Sequence, residues 1–400
     1  MSNAIAMPRP LAHGAADTGW LRSLRVAVFA YALSRGLIFA VWLLVAQLQL
    51  GHAPGHAPAA TSNIEAGPGE LARTLRDFAL TNDGGWYATI VERGYEQRPF
   101  DTTRPANWAF FPLHPMLWRA AVALVGDVRV AGLWVANLAF LAALVVLHRL
   151  ALALGRDAAG AERAVLALAL FPVSYFGALP WSESLFLLIS SGVFLAALRG
   201  RWALVAVLLA LASATRLAGL FLLPALLLWM WPRRHDLPRH AWFALAFAPL
   251  GLIAFMFELH AASGNALAFS GIQHAWGRHP TMPLNAIMDA LQEPRVAIEE
   301  WNFRWLNLAA AFGGIVAAIA LWRRREPWLA LFLALGLLAP LATGTLMSLA
   351  RYLFGLFPIP LALADATASR SVERGWFAVS AALLALMAAA FALNMNFAGA

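Results

Sequence analysis

A succession of apolar runs separated by short arginine-bearing loops constrains this chain most, because a run that crosses a bilayer must satisfy its backbone polar groups internally and therefore must be helical. The runs lie near residues 21–50, 128–150, 162–178, 184–198, 203–231, 241–259, 306–322, 327–343, 352–364 and 376–393. Hydrophobic residues make up 61% of the 400 and charged ones 12%, with a mean hydropathy of +0.68, so most of the chain has lipid for its solvent. The expected fold class is all-α, a polytopic membrane bundle, with residues 1–400 as a single integral membrane domain. The run at 21–50 is too long for a signal-peptide core and reads as an uncleaved first span.

Orientation follows from the short loops. Arg149, Arg156 and Arg163, Arg199 and Arg201, Arg233, Arg234 and Arg239, Arg323, Arg324 and Arg325, and Arg370 and Arg374 belong on the cytoplasmic side, where basic residues accumulate. The longer segments 51–112 and 260–304 then become the first and second extracytoplasmic loops. Run 203–231 has basic loops at both ends, so it cannot be one span. Its midpoint, Ser213-Ala214-Thr215-Arg216, is the expected break between two short helices, with Arg216 buried in protein rather than lipid. The count becomes about 11 membrane helices, N-terminus inside and C-terminus outside.

Composition also excludes. The formal charge of +8 is spread over membrane-flanking loops, so no nucleic-acid partner is expected. Every one of the 29 basic Lys/Arg positions is Arg, which reads as the bias of a GC-rich genome and fits a bacterial host. Cysteine is absent, which rules out disulfides, thiolate catalysis and cysteine metal sites.

The first loop divides in two. Residues 51–70, with a doubled Gly-His-Ala-Pro, read as a low-complexity linker. Leu71, Leu75 and Phe78 suggest a short amphipathic helix, followed by the glycine-rich turn Asp83-Gly84-Gly85-Trp86-Tyr87 and a second helix from Tyr87 to Gly94-Tyr95. A carboxylate there could take a proton from a hydroxyl, and Trp86 and Tyr87 offer flat faces to a sugar ring or an isoprenoid; taken alone, an Asp-Gly-Gly segment is more often just a turn. The stretch 108–115, Trp-Ala-Phe-Phe-Pro-Leu-His-Pro, is too apolar and proline-broken for a soluble loop and is expected at the membrane interface.

Several segments in order resemble the PIG-V-like mannosyltransferases, relatives of the enzyme that adds the second mannose to the GPI anchor, within the GT-C glycosyltransferases. They are Asp83 to Tyr87 with Gly94-Tyr95, Phe110 to Pro115, Ser182-Glu183-Ser184-Leu185-Phe186, Thr215-Arg216, Gln273-His274-Ala275-Trp276-Gly277, and Arg351-Tyr352 with Phe357-Pro358. One position departs: the family usually carries Trp before the Asp, where Asn82 stands here. The resemblance implies a polyprenyl-phosphate sugar donor, most simply of mannose, used on the outer face with inversion at the anomeric centre.

Such a reaction needs a base, cations for the phosphate and an apolar groove. Asp83 answers the first need, Arg216 and Arg351 the second, each set against the bland reading of a snorkelling interfacial side chain. Glu183 is a hydrogen-bond acceptor for sugar or a partner that orients Arg216, or else a helix-entry acid. Trp86, Tyr87, Gln273, Trp276 and Tyr352 are candidate substrate contacts. His114 is kept with them, although its surroundings read as structural. No obligatory metal or cofactor is expected. The expected partners are the lipid donor, the bilayer, and an acceptor that is a glycan, glycolipid or protein; the expected location is a bacterial inner membrane with the site facing the periplasm or exterior. A secondary transporter or lipid flippase would share the many spans and the buried Arg, but its ionisable groups belong at mid-membrane, whereas Asp83, Glu92, Asp101 and Glu183 fall at or beyond one face. A noncatalytic membrane subunit would leave Asp83 dispensable.

Overall fold

The computed structural model of the chain describes residues 16–51, 80–292 and 304–393, all of whose regular elements are helical. The linker and amphipathic helix expected between residues 52 and 78 lie outside the described residues, as does 293–303 of the second expected loop. Among the described residues, five helical segments are long and apolar enough to cross a bilayer: Gly19–Leu48 within α1 (Ala16–Gly51), α4 (Val128–Ala153), Arg239–Ser263, Trp305–Arg323 and Arg370–Ala392. Their outward faces carry large exposed apolar side chains such as Phe29 and Leu44 of α1, Trp134 and Leu138 of α4, and Val316, which only lipid can cover favourably. The chain is an all-α polytopic membrane protein.

The other apolar runs are shorter helices. Between α1 and α4 stand α2 (Asp83–Arg93) and α3 (Leu113–Val125). After α4 come α5 (Ala158–Ala169), α6 (Glu183–Leu198), α7 (Trp202–Thr215) and α8 (Leu222–Met230). The run expected at 241–259 is bent at Pro249 into α9 (Arg239–Ala244) and α10 (Leu250–Ser263), because proline withholds a donor and clashes with the preceding turn. Then follow α11 (Ala268–Gly271), α12 (Pro283–Gln292), α13 (Arg304–Arg323), α14 (Pro327–Leu341), α15 (Leu349–Phe354), α16 (Pro358–Ala366) and α17 (Arg370–Ala392). Run 203–231 breaks at Arg216, whose extended backbone (φ −157°, ψ 151°) caps α7 before a 3₁₀ turn at Leu217–Phe221 leads into α8.

The helix bearing Asp83 begins at that residue, four positions before the Tyr87 start expected from sequence. Two glycines in a first helical turn run against propensity, but at Gly85 packing leaves little room for a side chain. A Cβ on Gly85 would stand 3.0 Å from the Leu80 carbonyl. Asn82 has φ 53° and ψ −122°, and Gly84 N–H donates to Thr81 O at 3.1 Å: a type II′ turn, whose first central position suits Asn far better than Trp.

The stretch expected at the interface is instead an internal layer. Trp108 is fully buried and Phe110 and Phe111 nearly so, in an aromatic cluster with Tyr87, Tyr95, Phe255 and Phe269. Tyr95 Oη donates to Phe110 O at 2.7 Å, and Asn107 accepts from Glu96 N at 2.9 Å while donating to Gly94 O at 3.1 Å. Arg119 of α3 donates to the last carbonyls of α2, at Ile90 and Val91. These bonds fix the short helix of Asp83 on the bundle. On the other side of the cluster α10 meets α7 backbone to backbone: a Cβ on Gly251 would lie 2.1 Å from Ala210 O and 2.4 Å from Ala214 N.

Gly251→Ala is therefore expected to cost about 1–3 kcal/mol through overpacking, read as a lower midpoint of thermal unfolding in detergent. Gly313→Ala, with nothing within 4 Å of an added Cβ, should be neutral or stabilising by up to ~1 kcal/mol. Equal effects of the two changes would contradict this account of how α7 is seated.

Candidate active site

The beginning of α2, the beginning of α6, the break after α7 and the helix α15 meet at one end of the bundle, and each brings an ionised side chain. Glu183, the first residue of α6, is completely buried. Its Oε1 accepts from Arg351 Nε at 2.6 Å and from Arg216 Nη1 at 2.7 Å. Arg351 Nη2 also donates to Asp83 Oδ2 at 2.5 Å, and its guanidinium lies 4.2 Å from the ring centroid of Trp181. Arg216 Nη1 donates to Ser182 Oγ at 3.2 Å. Two carboxylates thus face two guanidiniums in a chain Asp83, Arg351, Glu183, Arg216. Burial of Glu183 and Arg351 is tolerable because each charge is paired, although Glu183 Oε2 has no hydrogen-bond partner among the described residues.

Above this chain opens a cavity of about 550 Å³. Of the sequence-expected residues, Asp83, Trp86, Tyr87, Arg216, Gln273, Trp276, Arg351 and Tyr352 line it, although they span residues 83 to 352. Glu183 and His114 do not. Glu183 stands behind its two arginines, and His114 is fully buried, its Nε2 2.8 Å from Pro180 O and its ring edge-on to Tyr87 at 4.9 Å. Trp86 stacks on Phe110 at 6.0 Å and meets Trp276 edge-on at 6.0 Å, making an aromatic side to the cavity. Leu217, Phe221 and Leu356 add apolar lining. Burial, and then the charge of Glu183, push the Tyr87 phenol up, so it stays protonated at neutral pH.

Two features were not drawn from the sequence. The first is Arg278, one residue beyond the Gln273-to-Gly277 segment, which also lines the cavity. Its Nη1 donates to Gln273 Oε1 at 3.3 Å, its guanidinium lies 5.6 Å from the Tyr352 ring centroid, and its Nε is buried without a hydrogen-bond partner among the described residues. Among the described residues no carboxylate pairs with it. Adjacency to a recognised segment was the only signal available. The second is backbone strain. Asn82 and Ser348, at φ 53° and 63°, both line the cavity, and such conformations in non-glycine residues gather at functional sites. Among the described residues no three His, Asp or Glu side chains are grouped as a metal site.

The sequence profile of the family described as mannosyltransferase (PIG-V) matches residues 26–230, just over half of the chain. That stretch takes in Asp83, Glu183 and Arg216 and stops short of Gln273, Arg278 and Arg351. No curated protein matches the chain. Among solved structures, it is similar to an Archaeoglobus fulgidus oligosaccharyltransferase tethered to an acceptor peptide (15% identity, TM-score 0.45, covering 92% of this chain and 54% of that one). It is also similar to the oligosaccharyltransferase AglB of that organism with an inhibitory peptide and a dolichol-phosphate (13%, 0.46, 94% and 56%). The chain thus spans little more than half the length of either.

Glu183→Gln keeps the shape of the side chain while removing the charge that two guanidiniums share. It should cost about 3–5 kcal/mol of stability, as removal of one member of a buried ion network does. Glu162→Gln, which breaks the exposed pair with Arg22, should cost no more than ~1 kcal/mol. Comparing thermal unfolding of the two variants checks this, and similar losses would deny Glu183 its place at the centre of the network.

Proposed function

This chain belongs to the mannosyltransferase (PIG-V) family, and from that premise we propose that it transfers a sugar, most simply mannose, from a polyprenyl-phosphate donor to an acceptor hydroxyl with inversion. The observation that carries this reading is the cavity itself: one partly exposed carboxylate and three guanidiniums beside an aromatic wall and an apolar one. In the proposed reaction Asp83 takes the proton of the acceptor hydroxyl as its oxygen attacks the anomeric carbon from the face opposite the phosphate. The bond from that carbon to the phosphate oxygen breaks, and the electron pair leaves with the lipid phosphate. Arg216 and Arg351 hold the phosphate as its charge rises.

Arg278 adds what those two cannot. The charges of Arg216 and Arg351 are matched by Asp83 and Glu183, so the positive charge left to attract an anion resides on Arg278. The isoprenoid lies against Leu217, Phe221 and Leu356, and the sugars against Trp86, Gln273, Trp276 and Tyr352. His114 and Glu183 act one layer back, holding Tyr87 and the arginines in place. The acceptor is a glycan, glycolipid or protein.

In a purified system, Asp83→Asn, which leaves the Arg351 charge to Glu183 alone, should lower the melting temperature yet still fold and bind donor, while turnover falls on the order of a hundredfold or more. Arg278→Gln should instead raise the donor KM by roughly ten- to a hundredfold, the value of a charged hydrogen bond to phosphate, and Arg278→Lys should recover part of that. Wild-type turnover in Asp83→Asn would remove it from the mechanism; an unaltered donor KM in Arg278→Gln would remove the charge assignment.

We place the site on the periplasmic or exterior side of a bacterial inner membrane, in keeping with the basic loops at the other helix ends. With no native Cys, single cysteines report this cleanly. Leu267→Cys, at an exposed position beside α11, should react with an impermeant thiol reagent on intact cells, and Asp236→Cys should not. The reverse labelling would place the cavity on the cytoplasmic face.

A further inference from the structure

The far end of α6 lies about 24 Å from Glu183, the length of a helix of 16 residues, and it carries a group of cations for which the site has no use. Trp20, near the start of α1, has two guanidiniums against its ring: Arg149 at 4.9 Å and Arg199 at 5.2 Å from the centroid. Arg199 directly follows α6, and Arg201 directly precedes α7. Burial, and then the charges of Arg149 and Arg201, push the Arg199 guanidinium down from its ordinary value. Among the described residues no carboxylate pairs with any of the three. Glu162, which acts on the neighbouring His148 together with Arg149, is bonded to Arg22 at 2.8 Å.

The arrangement is built rather than incidental. Arg149 is only 9% exposed, and among the described residues its Nε has no hydrogen-bond partner. Its guanidinium occupies space that exists because residue 19 lacks a side chain: a Cβ on Gly19 would lie 2.4 Å from Arg149 Nη1. Cations gathered around one ring with no paired carboxylate among the described residues favour an anion beside them, and Arg favours a phosphate that can accept two parallel bonds. From Trp20 an exposed apolar line continues along the same face of α1 through Leu24 and Val28, at i+4 and i+8. A free phosphate would satisfy the guanidiniums and leave that line unused, whereas a lipid uses both.

We propose that Trp20, Arg149 and Arg199 form a headgroup site for an anionic phospholipid, whose phosphate bridges the two guanidiniums and whose acyl chains lie along Leu24 and Val28. The indole sits at headgroup level, where Trp is favoured, and basic pockets between membrane helices suit anionic lipids in this way. The occupied site would tie α1 to the ends of α4 and α6 by neutralising their mutual repulsion.

The test titrates the purified full chain, in neutral detergent, with phosphatidylglycerol and with phosphatidylcholine of the same acyl chains, reading bound lipid by native mass spectrometry. Phosphatidylglycerol should bind the wild type in preference, and Arg199→Gln should weaken it by roughly ten- to a hundredfold with phosphatidylcholine unaffected. Gly19→Ala keeps every charge and displaces only the Arg149 guanidinium, so it too should weaken phosphatidylglycerol, which a diffuse attraction to a basic surface would not show. It also serves as the test if Arg199→Gln does not fold. Unchanged phosphatidylglycerol binding in a folded variant of either kind would overturn the site. Displacement of the lipid by inorganic phosphate would overturn the choice of a lipid over a free anion.

Discussion

Glu183 Oε1 receives hydrogen bonds from two guanidiniums in a place with no solvent access, and the candidate site is organised around that oxygen. A buried carboxylate without partners would be prohibitively costly, as would either arginine alone. Together they form a set that holds only if α6, the break after α7 and α15 arrive at one point. Arg351 then extends the set to Asp83, so the short helix α2, which no long span anchors, is tied to the bundle by charge as well as by the aromatic layer around Tyr87 and Phe110. The electrostatics that fix the fold at this end also aim Asp83 at the cavity.

That coupling explains what could be seen from the sequence. The break at Arg216 was legible because basic loops at both ends of 203–231 deny it a single crossing. The convergence of Asp83, Arg216, Gln273, Trp276, Arg351 and Tyr352 on one cavity was legible only as an ordered set of family segments, since nothing in the local chemistry of residues so far apart says that they meet. What remained hidden depends on tertiary contact. The α2 helix starts at Asp83 because Gly85 packs against the Leu80 carbonyl and Asn82 adopts a turn conformation, where local propensity favours a later start. Apolarity reports a run but not its bends, so 241–259 looked continuous across Pro249. Arg278 stood one residue past a familiar segment, and its lack of a paired carboxylate among the described residues stands out only once the charges of Arg216 and Arg351 are seen to be matched.

The same charge pattern bears on the rival idea of a transporter. Carriers set their ionisable groups where both faces can reach them in turn. Here Glu183 begins α6 and Arg216 ends α7, both at one end of the bundle. The cations around Trp20 lie a full helix length away, beyond reach of the cavity. One-sided chemistry, with the opposite end given to fastening the bundle in its membrane, fits this division of charge.

The central claim is that the cavity beside Asp83 is a sugar-transfer site fed by a lipid-phosphate donor. Its most direct test is transfer of labelled mannose from a short synthetic polyprenyl phosphate to an acceptor by the purified chain, with the anomeric configuration of the product determined by NMR. Inverting transfer gives a product of anomeric configuration opposite to that of the donor. A product that retains the donor's configuration, or a purified chain that binds the donor and transfers nothing to any hydroxyl acceptor, would contradict it.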